Sequence, residues 1–283
     1  MKILDISLSD KEELSSLISL YKEVFKKELE PEELLWRYKE NPEIGVGFHT
    51  NTVIRSENNI LAHTAVTPKN FEISKHTIKG CLSGGSMVGK KAHGAFPIIF
   101  DHMIKRLKDN KFDFVYAFPN EQSAPFLIKY FGFNESFMAY LTLRHDDLKE
   151  NLNPYEICFQ NKIRKKQSKY YINWRFNSFQ KSQSIETDTL KIFYKSYNNI
   201  ECDILSIVPK NEINYSSDNL IQALLKIPKF KKYNYLTTDK TKYKALKSIG
   251  FKEGSIKNKF VYLWLSDKFK DKDIALEMCD NDW

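Results

Sequence analysis

The residues with the most chemistry to offer are Gly89-Lys90-Lys91-Ala92-His93-Gly94-Ala95. They follow a stretch that reads as a strand, His76 to Val88. They precede one whose apolar residues Ile98, Ile99, Met103, Ile104 and Leu107 recur at helical spacing. A strand, a loop with glycine and lysines, and then a helix N-terminus make an anion site. The first amides of a helix have no intrahelical partner, and the macrodipole favours negative charge beside them. Gly94 lets backbone approach a ligand, Lys90 and Lys91 can pair with phosphates as point charges, and His93 is a further donor. The chemistry that fits is the grip of a diphosphate. Taken alone, the segment fits an ordinary strand-to-helix turn equally well.

Other elements must position that loop. Lys2 to Leu8 alternates as a first strand, and Ser9 with Glu12 has the spacing of a capping box. Leu14, Leu17, Ile18, Tyr21, Val24 and Phe25 then share one helix face. Pro31 opens a second helix, which carries Leu35, Trp36 and Tyr38 and ends before Asn41-Pro42. Strands are predicted over 48–55, 60–66 and 76–88, with turns at Glu57-Asn58-Asn59 and Pro68-Lys69-Asn70. Beyond the loop and its helix come a strand (Phe112 to Phe118), a short helix (Glu121 to Tyr130), a Gly132-Phe133 corner and a strand near Phe137 to Leu143.

The pattern occurs twice. Trp36-Arg37-Tyr38 and the later Gly132-Phe133 recur as Trp174-Arg175-Phe176 and Gly250-Phe251, which predicts a duplicated domain. The second copy reads as strands over 191–197, 202–208, 233–238 and 259–266 and helices over 219–227 and 240–249. Where the first copy has its loop, the second has Val208-Pro209-Lys210-Asn211-Glu212. No glycine is there to let backbone approach a phosphate, and Pro209 removes a donor. The second copy is therefore a degenerate half. The aromatic-Arg-aromatic triplet survives in it, so a structural duty is the favoured reading of the triplet, with the lining of an acceptor cleft as the alternative. The connector, His145 to Lys169, holds Asn151, Asn153, Pro154 and the basic run Lys162 to Lys169, which reads as a solvated linker.

Composition agrees with two ordered domains. The 283 residues match two units of roughly 150, and 42% apolar with 14% aromatic residues supplies two cores. Cys81, Cys158, Cys202 and Cys279 stand apart with no C-x-x-C, the usage of a reducing cytoplasm and not of a zinc site. No apolar run approaches the roughly 18 residues of a membrane span, and Asp5 interrupts the start where a signal peptide stays apolar. The net charge of +8 comes mostly from lysines interleaved with acids, whereas nucleic-acid readers concentrate their basic residues on one element.

The combination of motifs resembles a known family. Met87-Val88 followed by Lys91-Ala92-His93-Gly94-Ala95-Phe96 resembles the acetyl-CoA signature of GCN5-related (GNAT) N-acetyltransferases, which is Arg or Gln, two residues, Gly, one residue, then Gly or Ala. Tyr116-Ala117-Phe118-Pro119-Asn120, with a helix ending in Phe131-Gly132-Phe133, is similar to the second half of that acyl-CoA site. Trp36-Arg37-Tyr38 with Asn41-Pro42 resembles a subset of bacterial members, some of them tandem. The likeness covers residues 1 to about 145 and, more sparsely, 170 to 267. It departs from the family at Lys91, which keeps the charge but loses the planar fork, and at Phe96, expected in the core below the loop.

The resemblance implies a mechanism. The fourth and fifth strands splay, and a pantetheine arm pairs with the fourth near Ser86, Met87 and Val88. Lys91, His93, Gly94 and Ala95 hold the diphosphate, while Asn120 steadies cofactor or water. A backbone N–H polarises the acyl carbonyl, an amine attacks, and a general acid protonates the thiolate. The family's usual tyrosine position is Ile128 here. The remaining candidates for the acid are Tyr130, about 200° further round that helix, and Tyr116 on the fifth strand. His63 and His49 are the candidate bases, and Glu121 suits a helix N-terminus.

The expected fold class is thus α/β (α+β): two tandem GNAT-like domains, each a mixed, mostly antiparallel sheet flanked by helices. Residues 1–145 form the acyl-CoA-binding domain, 146–169 a linker and 170–283 the degenerate second domain. The expected activity is transfer of acetyl from acetyl-CoA to a primary amine of a small molecule such as an amino sugar or sugar nucleotide. The alternative is an inactive CoA-binding or scaffolding protein. The expected location is cytoplasmic. No metal, nucleic acid or membrane is expected as a partner, and a homodimer is left open.

Overall fold

Alternating and helical apolar patterns become strands and helices where they were expected, and their pairing brings the surprises. The computed structural model describes residues 1–57, 59–74, 76–149, 155–158, 162–177, 181–197, 200–210 and 214–280. In chain order the first half contains β1 (Lys2–Ile6), α1 (Lys11–Phe25), α2 (Pro31–Tyr38), β2 (Asn51–Ser56), β3 (Asn59–Ile73), β4 (His76–Val88), α3 (Phe96–Asp109), β5 (Phe114–Ala117), α4 (Ala124–Phe131), β6 (Asn134–Ser136) and β7 (Ala139–Arg144). There follow β8 (Glu156–Cys158), β9 (Lys162–Lys165), α5 (Lys169–Asn177), β10 (Gln183–Glu186), β11 (Leu190–Tyr197), β12 (Glu201–Pro209), β13 (Asn214–Ser216) and α6 (Ser217–Lys226). The chain closes with β14 (Lys232–Thr237), α7 (Lys240–Ser248), β15 (Lys252–Glu253), β16 (Phe260–Trp264) and β17 (Asp273–Ala275).

Two large sheets result, and they exchange strands. The first runs β1-β2-β3-β4-β5-β16-β6, with β9 on the far end of β3 and β17 beside β9. The second runs β10-β11-β12-β14-β7-β15. So β7, which ends the first copy, lies between strands of the second sheet, and β16 returns to lie between β5 and β6. Residue 145 does not divide the sheets. One apolar cluster joins Phe71, Phe114 and Tyr116 of the first sheet to Phe193, Leu205 and Leu236 of the second.

The repeated triplets meet each other. Trp36 on α2 and Trp174 on α5 stack at 5.0 Å between ring centroids. Each indole N–H donates to the other's carbonyl oxygen, at 3.1 and 2.9 Å. This local two-fold arrangement accounts for the repeat at both positions. The Gly-Phe corners correspond as well: Phe133 N–H reaches Leu127 O, and Phe251 N–H reaches Leu246 O.

Three local expectations are corrected. The N-cap of α1 is Asp10, whose carboxylate accepts from Glu12 N–H at 2.8 Å, instead of Ser9. Pro68-Lys69-Asn70 is no turn but the middle of β3. Its pairing with β2 stops at Ala65, so the missing N–H of Pro68 breaks no ladder there. The basic run is not a solvated linker: β9 pairs with β3 and β17, and the buried Lys165 ammonium lies 2.9 Å from the Glu43 carboxylate. Asn151, Asn153 and Pro154 of the same connector fall outside the described residues, as do Asn211 and Glu212.

Candidate functional site

β4 and β5 pair in parallel only from Gly80↔Phe114 to Leu82↔Tyr116. β5 ends at Ala117 while β4 runs on to Val88, so the two splay. The gap is a cavity of about 1010 Å³ with Ser83 to Ser86 and Val88 on one wall and Ala117 to Asn120 on the other. His93, Gly94 and Phe96 border it from the loop, and α2 contributes Arg37 and Tyr38.

At the point of divergence β4 carries a bulge. His63 faces Met87 and Ala65 faces Gly84, which leaves Gly85 and Ser86 both opposite Thr64. Gly85 has φ +62°, the left-handed conformation that glycine adopts without penalty. A Cβ there would lie 2.7 Å from Tyr38 Oη. Hydroxyl oxygens of Thr64 and Ser86, 2.9 Å apart, clasp the bulge from the other strand.

The loop is built as an anion cradle. Gly94 has φ +83°, and a Cβ there would meet nothing within 4 Å, so its backbone stands open to the cavity. No side chain caps α3. Ala95 N–H is used by Ala92 O, and Pro97 has none to give. The amides of Gly94, Phe96 and Ile98 are the donors this turn can present to a ligand.

The sequence-predicted residues divide clearly. Val88, His93, Gly94 and Asn120 border the cavity. Asn120 Oδ1 is taken by Gln122 and Ser123 N–H, at 3.1 and 2.9 Å, which leaves its NH2 to face a ligand. Strand alternation sends the Met87 side chain into the core with Leu17 and Tyr38, so only its backbone stands on the edge of β4. Ala95 is buried beside Ile99 and Ala92, and Lys91 is exposed but outside the lining.

The three catalytic candidates are also displaced. Tyr116 is fully buried on the face of β5 turned to the second sheet, and its hydroxyl donates to Asp280 O at 3.0 Å. Tyr130 is 66% exposed with its ring on Phe126, a residue of the lining, but is not itself part of that lining. His63 is no base for a substrate. It is 1% exposed, burial holds its pKa down at about 4, and its ring nitrogens contact Gly85 O and Asn51. His49 is exposed outside the lining. Tyr38 and Arg37 line the cavity, the less favoured reading of their triplet, while sequence reasoning missed the Gly84-Gly85 bulge and Asn258, which comes from the second half and donates to Phe118 O at 2.9 Å. The two adjacent glycines ending a long strand were the available signal for the bulge. Phe96, expected in the core, borders the cavity with Phe126 at 5.5 Å.

The second half repeats the splay and fills it. β12 and β14 pair in parallel from Glu201↔Lys232 to Ile204↔Tyr235 and then part. Glu277 enters the gap: its carboxylate accepts from Ile207 N–H at 3.2 Å and Tyr235 hydroxyl at 2.6 Å, and it also contacts Ser206 and Lys242. What remains is a cavity of about 380 Å³. The same C-terminal segment reaches the first half, where Lys69 Nζ donates to Asp280 O at 2.9 Å. Among the described residues no His/Cys/Asp/Glu group is arranged to hold a metal ion, and no helix is long and apolar enough to cross a membrane.

No protein-family model matches the sequence, and no curated protein does. Solved structures with the same fold include a GCN5-related N-acetyltransferase from Kribbella flavida, with TM-score 0.67, 8% identity, and 93% of this chain and 72% of that one covered. Another is a GCN5-related N-acetyltransferase from Anabaena variabilis, with TM-score 0.63, 9% identity, and 94% and 73% covered. A third is Eis1 from Mycobacterium abscessus, with TM-score 0.61, 7% identity, and 94% and 74% covered. At such identities it is the course of the backbone that is shared. Over more than nine-tenths of its length the chain has the fold of these GCN5-related N-acetyltransferase structures.

Proposed function

We propose that the protein is an acetyl-CoA-dependent N-acetyltransferase acting on a primary amine of a small molecule. The observation that carries this reading is the parting of β4 and β5 over a cavity bordered by an open glycine loop and an uncapped helix N-terminus. Gly94 and its neighbours would hold the diphosphate, with His93 beside them, and the free edge of β4 from Ser83 to Val88 would pair with the pantetheine amides. A backbone N–H of the Gly85-Ser86 bulge would polarise the thioester carbonyl, a role that needs a fixed dipole where negative charge develops. The amine nitrogen bonds to the carbonyl carbon, the C–S bond breaks, and the thiolate takes a proton. Among the described residues Tyr38 is the phenol that lines the cavity, and we assign it that proton.

No carboxylate lines the cavity among the described residues. The amine then gives up its own proton to water. Thr67, Ser83, Ser86 and Asn258 place hydrogen-bonding groups in the lining, which makes amino sugars and sugar nucleotides the acceptors to try first. The missing carboxylate also favours a second reading, a protein that binds CoA without turnover.

Calorimetry with acetyl-CoA tests the assignment. Wild type is expected to bind at micromolar concentration. Gly94→Asp, which points a carboxylate at the diphosphate, is expected to bind at least about a hundredfold more weakly, roughly 2.7 kcal/mol. Equal affinity in the two proteins would remove the loop from the site. Thiol release across an amine panel then separates the enzyme from the silent binder.

A further inference from the structure

A buried polar chain behind the cavity wall has no part in the chemistry above. It starts at Gly85, whose carbonyl oxygen lies 2.7 Å from His63 Nδ1. His63 Nε2 is 2.9 Å from the side-chain amide of Asn51. That amide is 2.9 Å from Thr50 Oγ1, and the Thr50 hydroxyl donates to Tyr38 O at 2.8 Å. His63, Asn51 and Thr50 are all at most 3% exposed. The chain thus ties the bulge of β4 to the C-terminal end of α2, the two places that bring backbone and phenol to the thioester.

The bulge needs such a tie. Gly84 and Gly85 are adjacent, and glycine backbone has no intrinsic preference for the left-handed conformation that Gly85 holds at φ +62°. Gly85 is exposed to the cavity, so no packed side chain of its own fixes it. His63 is a suitable clamp because a carbonyl oxygen only accepts, so Nδ1 must carry the proton. Both neighbours of the ring are placed as oxygens, Gly85 O and Asn51 Oδ1. Burial keeps the ring neutral, with one proton to give. That proton is assigned to Nδ1, whose 2.7 Å contact with Gly85 O is the shorter of the two.

We propose that His63 is a positioning residue that clamps the β4 bulge, so that a backbone N–H of Gly85 or Ser86 meets the thioester carbonyl. The proposal rests on the acyl-CoA reading of the cavity. Its role is exerted through the bulge, so removing it should leave cofactor affinity and change the state of the bound carbonyl.

The experiment is isotope-edited infrared spectroscopy of [1-¹³C]acetyl-CoA on the full chain, with calorimetry alongside. In wild type the bound carbonyl stretch is expected at lower frequency than in solution, the signature of polarisation. His63→Ala is expected to keep acetyl-CoA affinity within about threefold, since the diphosphate loop is untouched, and to lose the shift. His63→Asn, whose amide N–H reaches the position of Nδ1, is expected to keep the shift. His63→Gln, whose amide N–H falls nearer Nε2, is expected to lose it. The Asn and Gln pair decides the question if His63→Ala does not fold. A shift retained in His63→Ala, or equal shifts in the Asn and Gln variants, would show that the histidine only fills space. Wild type that binds without any shift overturns the clamp and leaves the acyl-CoA reading standing. Wild type that does not bind acetyl-CoA overturns both.

Discussion

Tyr38 and His63 show what residue types alone conceal. Both are aromatic, largely buried and close to the same glycine, but only the tyrosine borders the cavity. Tyr38→Phe is expected to lower kcat by about 10²-fold with acetyl-CoA affinity unchanged, the size of a lost general acid. Single-turnover thiol release with the best acceptor checks this, and an unchanged rate returns the proton to water. His63 leaves a trace in stability instead. Its unfolded pKa is near 6.5 and its folded pKa about 4, so between these values the unfolded chain binds more protons. Its contribution is complete above pH 6.5 and is lost as pH falls towards 4, by about 3 kcal/mol in all. Urea unfolding at several pH values should show that slope in wild type, and the difference from His63→Asn isolates it. A slope equal in both proteins would mean that the ring charges without cost. The tyrosines chosen from sequence failed for a simple geometric reason. On β5 successive side chains alternate and Tyr116 falls on the side turned from the gap, while Tyr130, one turn beyond the lining residue Phe126 on α4, lies past the edge of the lining.

Secondary elements were legible where their apolar period was long. The helices over 11–25 and 96–109, the long β4 and the two Gly-Phe corners stand where the sequence puts them. β3 was read as ending at Val66 because Pro68 normally breaks a central strand, and only the tertiary position of β2 shows why it does not. Val88 borders the cavity and the Met87 side chain does not, because side chains alternate along a strand. The lack of a glycine loop in the second half was legible in Pro209 and its neighbours, but what enters the splay there was not, since Glu277 lies about 70 residues downstream of β12. That carboxylate has a stability consequence. Lys242 is 3% exposed and faces it, and burial works against the ammonium while Glu277 holds its pKa above the ordinary lysine range. Glu277→Ala is expected to cost about 3–5 kcal/mol, the usual penalty for leaving one member of a buried pair alone. Guanidinium unfolding measures it. A loss below about 1 kcal/mol would mean that the segment is held in the cleft by its backbone contacts, not by this charge.

At the scale of the whole molecule the duplication is visible in sequence, but the joining of its halves is not. Periodicity says that 139–144 and 260–264 are strands and has no bearing on which sheet takes them, because pairing partners far apart in sequence leave no local pattern. The exchange has a physical consequence for the cavity. β5 is short, and β16 covers its outer edge by pairing Val261 with Ala117 and Tyr262 with Tyr116. Asn258, just before β16, holds the Phe118 carbonyl on the cavity wall. A fragment of residues 1–145 would therefore lack one side of β5, leave β7 without the partners it has in the second sheet, and expose the face that packs on Phe193, Leu205 and Leu236. It is expected to show no cooperative thermal transition and no acetyl-CoA binding by itself, and to recover both when produced together with residues 146–283. Circular dichroism and calorimetry on the fragment and on the reassembled pair make the comparison. If residues 1–145 alone melt cooperatively and bind, the second half is dispensable to the site. If the pair is required, the second half is retained because it finishes the sheet that carries the cavity.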